Sequence, residues 1–248
     1  MSKVLLITGG SRGIGAATAL LAARQGYLVA VNYTANSLAA DEVVRQIRSS
    51  GGTAITVRAD VAVEADVLAM FKKVDAKLGR LTALVNNAGV VDTPSRVDIM
   101  SLERLQRMFG INVFGAFMCA GQAIQRMSTR CGGAGGCIVN VSSAAARLGA
   151  PGQYVDYASA KGAIDTFTIG LAKEVALEGI RVNAVRPGII DTEIHASGGL
   201  PNRAHDLAPL VPLQRAGTAA EVAEAVLWLL GENSSYTTGS ILDVTGGR

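Results

Sequence analysis

Aromatic side chains are scarce: five Phe, five Tyr and one Trp make up 4% of the 248 residues. A core must therefore be built from Ala, Val, Leu and Ile, which favours strands and helices packed closely together. Charge is sparse too, at 17% of residues. Lys and Arg are scattered, and no basic run is interleaved with aromatics, which argues against a nucleic-acid partner. The three cysteines, Cys119, Cys131 and Cys137, are odd in number and lack metal-ligand spacing. Structural thiols are expected, and no metal. No run of about 18 apolar residues occurs, so no bilayer span is expected. The apolar stretch Val4–Ile7 is too short for a signal-peptide core. The expectation is a cytoplasmic protein that does not engage membranes.

Apolar residues are plentiful, at 49%, and they come in short runs. Val4–Ile7, Leu28–Asn32, Ala54–Arg58, Ala83–Asn86, Cys137–Val141, Arg181–Val185 and Ser240–Val244 read as buried strands. Between them, Ile14–Gln25, Leu38–Ser50, Glu64–Leu78, Leu105–Gln122 and Ser159–Leu177 read as helices. Near-continuous apolar strands alternating with helices imply α/β architecture. The chain is expected to form a single domain over residues 1–248, a doubly wound parallel sheet of about seven strands with helices on both faces. Ligands then sit outside the carboxyl ends of the strands. Two segments break the rhythm. Arg130–Gly136, RCGGAGG, reads as a flexible loop. Residues 187–212 are rich in Pro and Gly, carry both histidines, and follow a strand end as a substrate lid would. His195 and His205 are expected as surface or capping residues.

Thr8–Gly15 reads TGGSRGIG, between the first strand and the first helix. Gly9 suits a tight turn, Gly13 lets a pyrophosphate approach the backbone, and Gly15 lets the helix pack closely. Amides at a helix N-terminus favour an anion. This spacing, with Asp60–Val61, NNAG at Asn86–Gly89, Asn112, Ser143, YASAK at Tyr157–Lys161 and PGIIDT at Pro187–Thr192, resembles the short-chain dehydrogenase/reductase family over essentially the whole chain.

The resemblance implies a nicotinamide dinucleotide held by Gly9, Ser11, Arg12, Gly13, Ile14 and Gly15, by Asn32, Tyr33 and Thr34 after the second strand, and by Asp60 and Val61 at the adenine. It adds Asn87, Ala88 and Gly89 at the ribose, Pro187, Gly188, Ile190 and Thr192 at the nicotinamide, and Tyr157 and Lys161. Without a ligand, Asp60 would be a helix N-cap, and Asn86 and Asn87 would be turn residues. Tyr157 and Lys161 are one helical turn apart and share a face. An ordinary phenol, with a pKa of about 10, is a poor base at neutral pH. A nearby ammonium and a cationic nicotinamide are expected to favour the phenolate. Ser143 is expected to polarise a carbonyl; strand alternation turns Ser142 the other way. The family places at Asn112 a residue that fixes water near the lysine.

The expected function is an oxidoreductase interconverting a carbonyl and a secondary alcohol by direct hydride transfer, with Tyr157 as acid/base. The chain looks like both 3-oxoacyl-carrier-protein reductases and glucose-dehydrogenase-like enzymes. Arg126, Arg130 and Lys173 could form the basic patch an acidic carrier protein needs, whereas YVDY at Tyr154–Tyr157 resembles a sugar-dehydrogenase-like branch, which implies a small polar carbonyl, sugar or polyol. A non-catalytic dinucleotide sensor is the rival of another class, and it has no need of the tyrosine, lysine and serine. NAD-preferring relatives place an acid at the end of the second strand. Here VAVNYTANS has none before Asp41, and Arg12 with Asn32, Thr34, Asn36 and Ser37 predicts NADP over NAD. The Ser159–Leu177 helix, with Ile164, Phe167, Thr168 and Leu171, and the last strand predict a homotetramer.

Overall fold

Alternation along each strand decides which layer a residue joins. The computed structural model describes residues 3–248, and all their side chains except those of His195 and Ser197. In the first strand, β1 (Lys3–Ile7), Leu5 and Ile7 face one side of the sheet and Val4 and Leu6 the other, all fully buried.

The other strands of the main sheet are β2 (Tyr27–Tyr33), β3 (Ala54–Arg58), β4 (Ala83–Asn86), β5 (Gly136–Val141) and β6 (Ile180–Pro187). Two short strands, β7 (Ile190–Asp191) and β8 (Gly217–Thr218), pair with each other, and β9 (Ile241–Val244) completes the main sheet. Its order is β3-β2-β1-β4-β5-β6-β9, every pair parallel. All seven expected strands are present, with ends within two residues of those read from the sequence.

The helices are α1 (Gly13–Arg24), α2 (Ser37–Ser49), α3 (Glu64–Leu78), α4 (Leu102–Phe109), α5 (Gly115–Met127), α6 (Ala145–Leu148), α7 (Val155–Val175), α8 (Ile194–Ser197), α9 (Arg203–Leu207) and α10 (Ala219–Leu230). Leu5, Ile7, Val29 and Val139 pack with Ala19, Val43, Ile47 and Val226 of α1, α2 and α10. Leu6, Leu84, Ile138 and Val182 pack with Phe71, Cys119, Ala123, Met127 and Leu171 of α3, α5 and α7. Small residues do much of this, as a chain poor in aromatics requires. Cys119 and Cys137 are buried free thiols and Cys131 is an exposed one. Among the described residues no three metal-ligating side chains cluster.

Three expectations need correction. Leu105–Gln122 is not one regular helix: a π-turn at Gly110–Phe114 separates α4 from α5, and Asn112 sits on it. This is where π-turns tend to fall, at positions that must aim a side chain. The combined stretch Leu102–Met127 is apolar and long, but Cys119, Ala120, Ala123 and Met127 belong to the sheet core. The glycine-rich connection before β5 is not loose. Arg80 donates to the carbonyls of Arg126, Cys131 and Gly132, and the Gly133, Gly135 and Gly136 amides bond Ser128, Met127 and Gly179. The long helix begins at Val155 rather than Ser159, so Tyr157 stands in its first turn.

Candidate active site

The strand order reverses between β1 and β4, and the loops leaving those strands define a crevice at the carboxyl edge of the sheet. Thr8 joins the two. Its hydroxyl accepts from the amides of Asn87 and Ala88, both at 3.0 Å, and donates to the Val85 carbonyl. Asn87 returns the tie, its amide group donating to the carbonyls of Thr8 and Gly9 at 2.9 Å each.

The glycines fit a dinucleotide by close approach. Gly9 has φ +61°, and a methyl on it would lie 3.0 Å from the Ala88 Cα. A methyl at Gly15 would collide with the Gly9 carbonyl oxygen and come within 2.6 Å of Asn87 Nδ2, so helix α1 starts pressed onto its own loop. A methyl at Gly13 would meet Thr192 at 3.3 Å, which brings the PGIIDT segment against the glycine loop. Helix α1 has no side-chain cap and no acid in its first turn, so its leading amides remain suited to an anion. These residues fit the diphosphate of a dinucleotide.

Two cofactor expectations change. Asn32 is buried and fully engaged: its oxygen accepts from the Gly9 amide at 3.0 Å, and its nitrogen donates to the carbonyls of Val57 and Ala59. It fixes the glycine loop rather than offering a donor to ligand. Asn36 caps α2 through the Ala39 amide. Asp60 is not the N-cap of α3, a position taken by Val63; it closes a turn by accepting from Ala62 N. Asn86 is not a turn residue either. It lies in β4 and donates to Asn140 Oδ1 at 3.0 Å, while Asn140 donates to Thr168 Oγ1 at 2.9 Å. This buried amide chain lashing β4 and β5 to α7 was missed. An Asn among β-branched residues in CIVNV was the available signal.

Ser143, Tyr157 and Lys161 converge at the far side of the crevice. Ser143 lies two residues past the end of β5 and hydrogen-bonds the Tyr157 phenol. Ser142 faces away, buried, its hydroxyl on the Lys161 carbonyl at 3.2 Å. Lys161 is 4% exposed, donates to the Val141 carbonyl at 2.8 Å, and holds Nζ 5.6 Å from the centre of the Tyr157 ring. A methyl on Gly89 would lie 3.5 Å from that Nζ and 2.8 Å from Asn112 Oδ1. Asn112 clamps Val90, accepting from its amide at 3.2 Å and donating to its carbonyl at 3.0 Å. His205 is exposed beside Asp206, far from such packing; the His195 side chain lies outside the described set.

The protein's own groups do not lower the phenol pKa. Burial pushes Tyr157 up, and the Ser143 hydrogen bond opposes this in part. Lys161 is driven from 10.5 to about 8 by burial, with the Asp165 carboxylate resisting. The sign of the stability effect follows. Between pH 10.5 and about 8 the unfolded chain binds a proton that the folded chain declines, so stability falls as pH drops through that window. Below about 8 the loss is complete, roughly 3 kcal/mol. Lys161→Met is therefore expected to melt higher than wild type at pH 7, with the gap closing toward pH 10. Asp165 keeps its partner Arg186 at 2.8 Å in that variant. A gap independent of pH, in melting curves of the cofactor-free protein, would refute the buried charge.

Against known proteins, residues 9–248 match the family model described as "Enoyl-(Acyl carrier protein) reductase". The chain is 54% identical to the "Uncharacterized oxidoreductase YgfF" of Escherichia coli, over 99% of both chains. It is 38% identical to a 3-oxoacyl-[acyl-carrier-protein] reductase of Synechocystis (99% of this chain, 96% of the relative). It is 36% identical to glucose 1-dehydrogenase 2 of Bacillus subtilis (99% and 94%). The solved short-chain dehydrogenase/reductase from Serratia marcescens superposes with a TM-score of 0.91 at 33% identity, covering 100% and 98%. This chain belongs to the short-chain dehydrogenase/reductase family. It is an oxidoreductase acting on CH–OH groups with a nicotinamide dinucleotide, so the sensor alternative falls.

Proposed function

We propose that this protein is an NADP-dependent reductase or dehydrogenase of a small polar carbonyl, sugar or polyol. The reading rests on the Ser143 hydroxyl, Tyr157 phenol and Lys161 ammonium gathered beside Gly89, across the crevice from the glycine loop. The glycine loop, Asp60–Val61, Asn87–Gly89, Lys161 and Thr192 would hold the dinucleotide, which when bound supplies or accepts the hydride. Tyr157 gives its proton to the carbonyl oxygen, or takes it back from the alcohol. Ser143 donates a hydrogen bond to the same oxygen as charge develops on it. Lys161 holds the ribose side, and Asn112 fixes the loop against which both lie.

The carrier-protein alternative keeps the support of the Synechocystis relative's name. The charges it would need point elsewhere. Arg126 pairs with Asp75 at 2.7 Å and covers Phe71, and Arg130 pairs with Glu178. Crossover helices run back along the strands, so Lys173, twelve residues beyond Lys161, stands about 18 Å down α7 toward the amino edge. None of the three reaches the site mouth. A screen of sugars, polyols, small ketones and a 3-oxoacyl thioester, followed by nicotinamide absorbance, tests the reading. Activity confined to the thioester would overturn it.

Residues 187–212 are proposed as the lid. They form β7, α8 and α9, with Gly198 packed on Val91 and Arg203 over the Tyr154 ring at 5.2 Å. Amide hydrogen exchange across the segment should slow on adding NADPH; unchanged exchange would remove the lid. A cytoplasmic homotetramer is also proposed, though by different residues than α7's Ile164, Thr168 and Leu171, which are buried in their own core. Phe114 (59% exposed), Phe117 and Ile169 leave an apolar surface on the π-turn, α5 and α7, and Leu242 leaves another on β9. Light scattering at micromolar concentration should give a tetramer mass, and a monomer mass would refute it.

A further inference from the structure

The residue before Tyr157 carries a buried ion pair that the chemistry above does not use. Asp156 has no exposed side-chain surface and Arg104 of α4 only 10%. The guanidinium grips both carboxylate oxygens, Nε to Oδ2 at 2.7 Å and Nη2 to Oδ1 at 3.2 Å, and its third nitrogen, Nη1, donates to the Thr93 carbonyl at 2.6 Å. One side chain thus bridges the first turn of α7 and the loop that leaves Gly89.

That loop is held along its length. Asn112 takes Val90, Arg107 takes Asp92 at 3.2 Å, Arg104 takes Thr93, and the Gln153 carbonyl accepts from the Ser95 amide at 2.9 Å. The lid closes on the same stretch: a methyl on Gly198 would lie 2.9 Å from Val91 Cγ2 and 3.1 Å from the Asp92 carbonyl oxygen. Val90 of this loop and Tyr157 pack against the same Met108, Val113 and Ala160 cluster, so the loop forms a wall beside the phenol.

We propose that Arg104 is a positioning residue that sets the gap between the Tyr157 phenol and this wall, through Asp156 on one side and the Thr93 carbonyl on the other. The inference rests on Tyr157 being the acid/base. A buried ion pair is weak support for stability, since apolar residues of similar volume often replace it without loss. Its planar fork, with donors at fixed angles, gives geometry that a lysine point charge cannot. Displacements of about 1 Å in such a site cost up to ~10²-fold in rate.

Three variants test this, with NADPH and ethyl acetoacetate, cyclohexanone or DL-glyceraldehyde, or NADP with D-glucose or xylitol, using the fastest of these. Arg104→Lys keeps the charge opposite Asp156 and should lose at least ~10-fold in kcat/KM. Its NADPH Kd, by fluorescence titration, should stay within about two-fold. The apolar pair Arg104→Met with Asp156→Leu should melt as high as wild type yet show the same kinetic loss; if it does not fold, Arg104→Lys decides alone. Wild-type kcat/KM in Arg104→Lys, or equal losses in kcat/KM and NADPH binding, would overturn the proposal. Tyr157→Phe separates the two ideas. If it is inactive while Arg104→Lys is normal, only the positioning role fails. If it is active, or if no probe is turned over by wild type, the acid/base reading and this inference fall together.

Discussion

Replacing Tyr157 with Phe is expected to lower turnover at least ~10²-fold, the lower range for loss of a general acid/base. The ring's volume is kept, and with it the packing on Met108, Val113 and Ala160. What disappears is the phenolic proton and its hydrogen bond with Ser143. Burial raises the phenol's pKa, so the protein's own groups keep it protonated at neutral pH, the form a reduction needs. The oxidation direction starts from phenolate, and it should suffer at least as much. NADPH affinity is expected to change little, because the glycine loop and Lys161 are untouched. Stopped-flow and steady-state rates on an identified substrate check this, with fluorescence titration for binding. Near-normal turnover in the variant would remove Tyr157 from the chemistry.

The strands were legible because each is a short, near-continuous apolar run between turn signals, as burial on both faces requires. Val4–Ile7 and Ala83–Asn86 show this well. The reacting side chains were legible because their spacing is local: Tyr157 and Lys161 lie one turn apart, and Ser143 follows directly on a strand. What stayed hidden depends on contacts between distant segments. Asn32 looked like a donor for ligand because nothing in VAVNYTANS reveals that Val57, Ala59 and Gly9 already use its amide. The π-turn at Asn112 leaves no mark on apolar periodicity. Arg104 and Asp156 are 52 residues apart, and nothing local to either announces the pairing. Arg126 and Arg130 read as available cations until Asp75 and Glu178 were found beside them. At Tyr157 the proximity of an ammonium was legible, but burial deep enough to drive Lys161 itself down to about 8 was not.

Arg12→Ala is expected to reduce the preference for NADP over NAD by roughly 10- to 100-fold, the equivalent of one charge-assisted hydrogen bond at about 1.5–3 kcal/mol. Arg12 is exposed at the N-cap of α1, where the first turn carries no acid. An NAD-selective site would repel a 2′-phosphate with a carboxylate at the end of β2. Here β2 ends at Tyr33, and the first carboxylate after it, Asp41, lies inside α2. Asn32 and Thr34 both donate to backbone carbonyls and Asn36 caps α2, which leaves the expected phosphate contact to Arg12 and Ser37. A second cation stands close by: Arg58, exposed at the end of β3, donates from Nε to the Thr34 carbonyl at 3.3 Å. A guanidinium fork suits a phosphate dianion better than a pair of hydroxyls. The measurement is kcat/KM with each cofactor for wild type, Arg12→Ala and Arg58→Ala. A wild type that prefers NAD would overturn the assignment of cofactor. An unchanged ratio in Arg12→Ala with a collapsed ratio in Arg58→Ala would move the phosphate contact to β3. Loss of affinity for both cofactors alike in Arg12→Ala would mean that its guanidinium covers the adenine face and reads no phosphate at all.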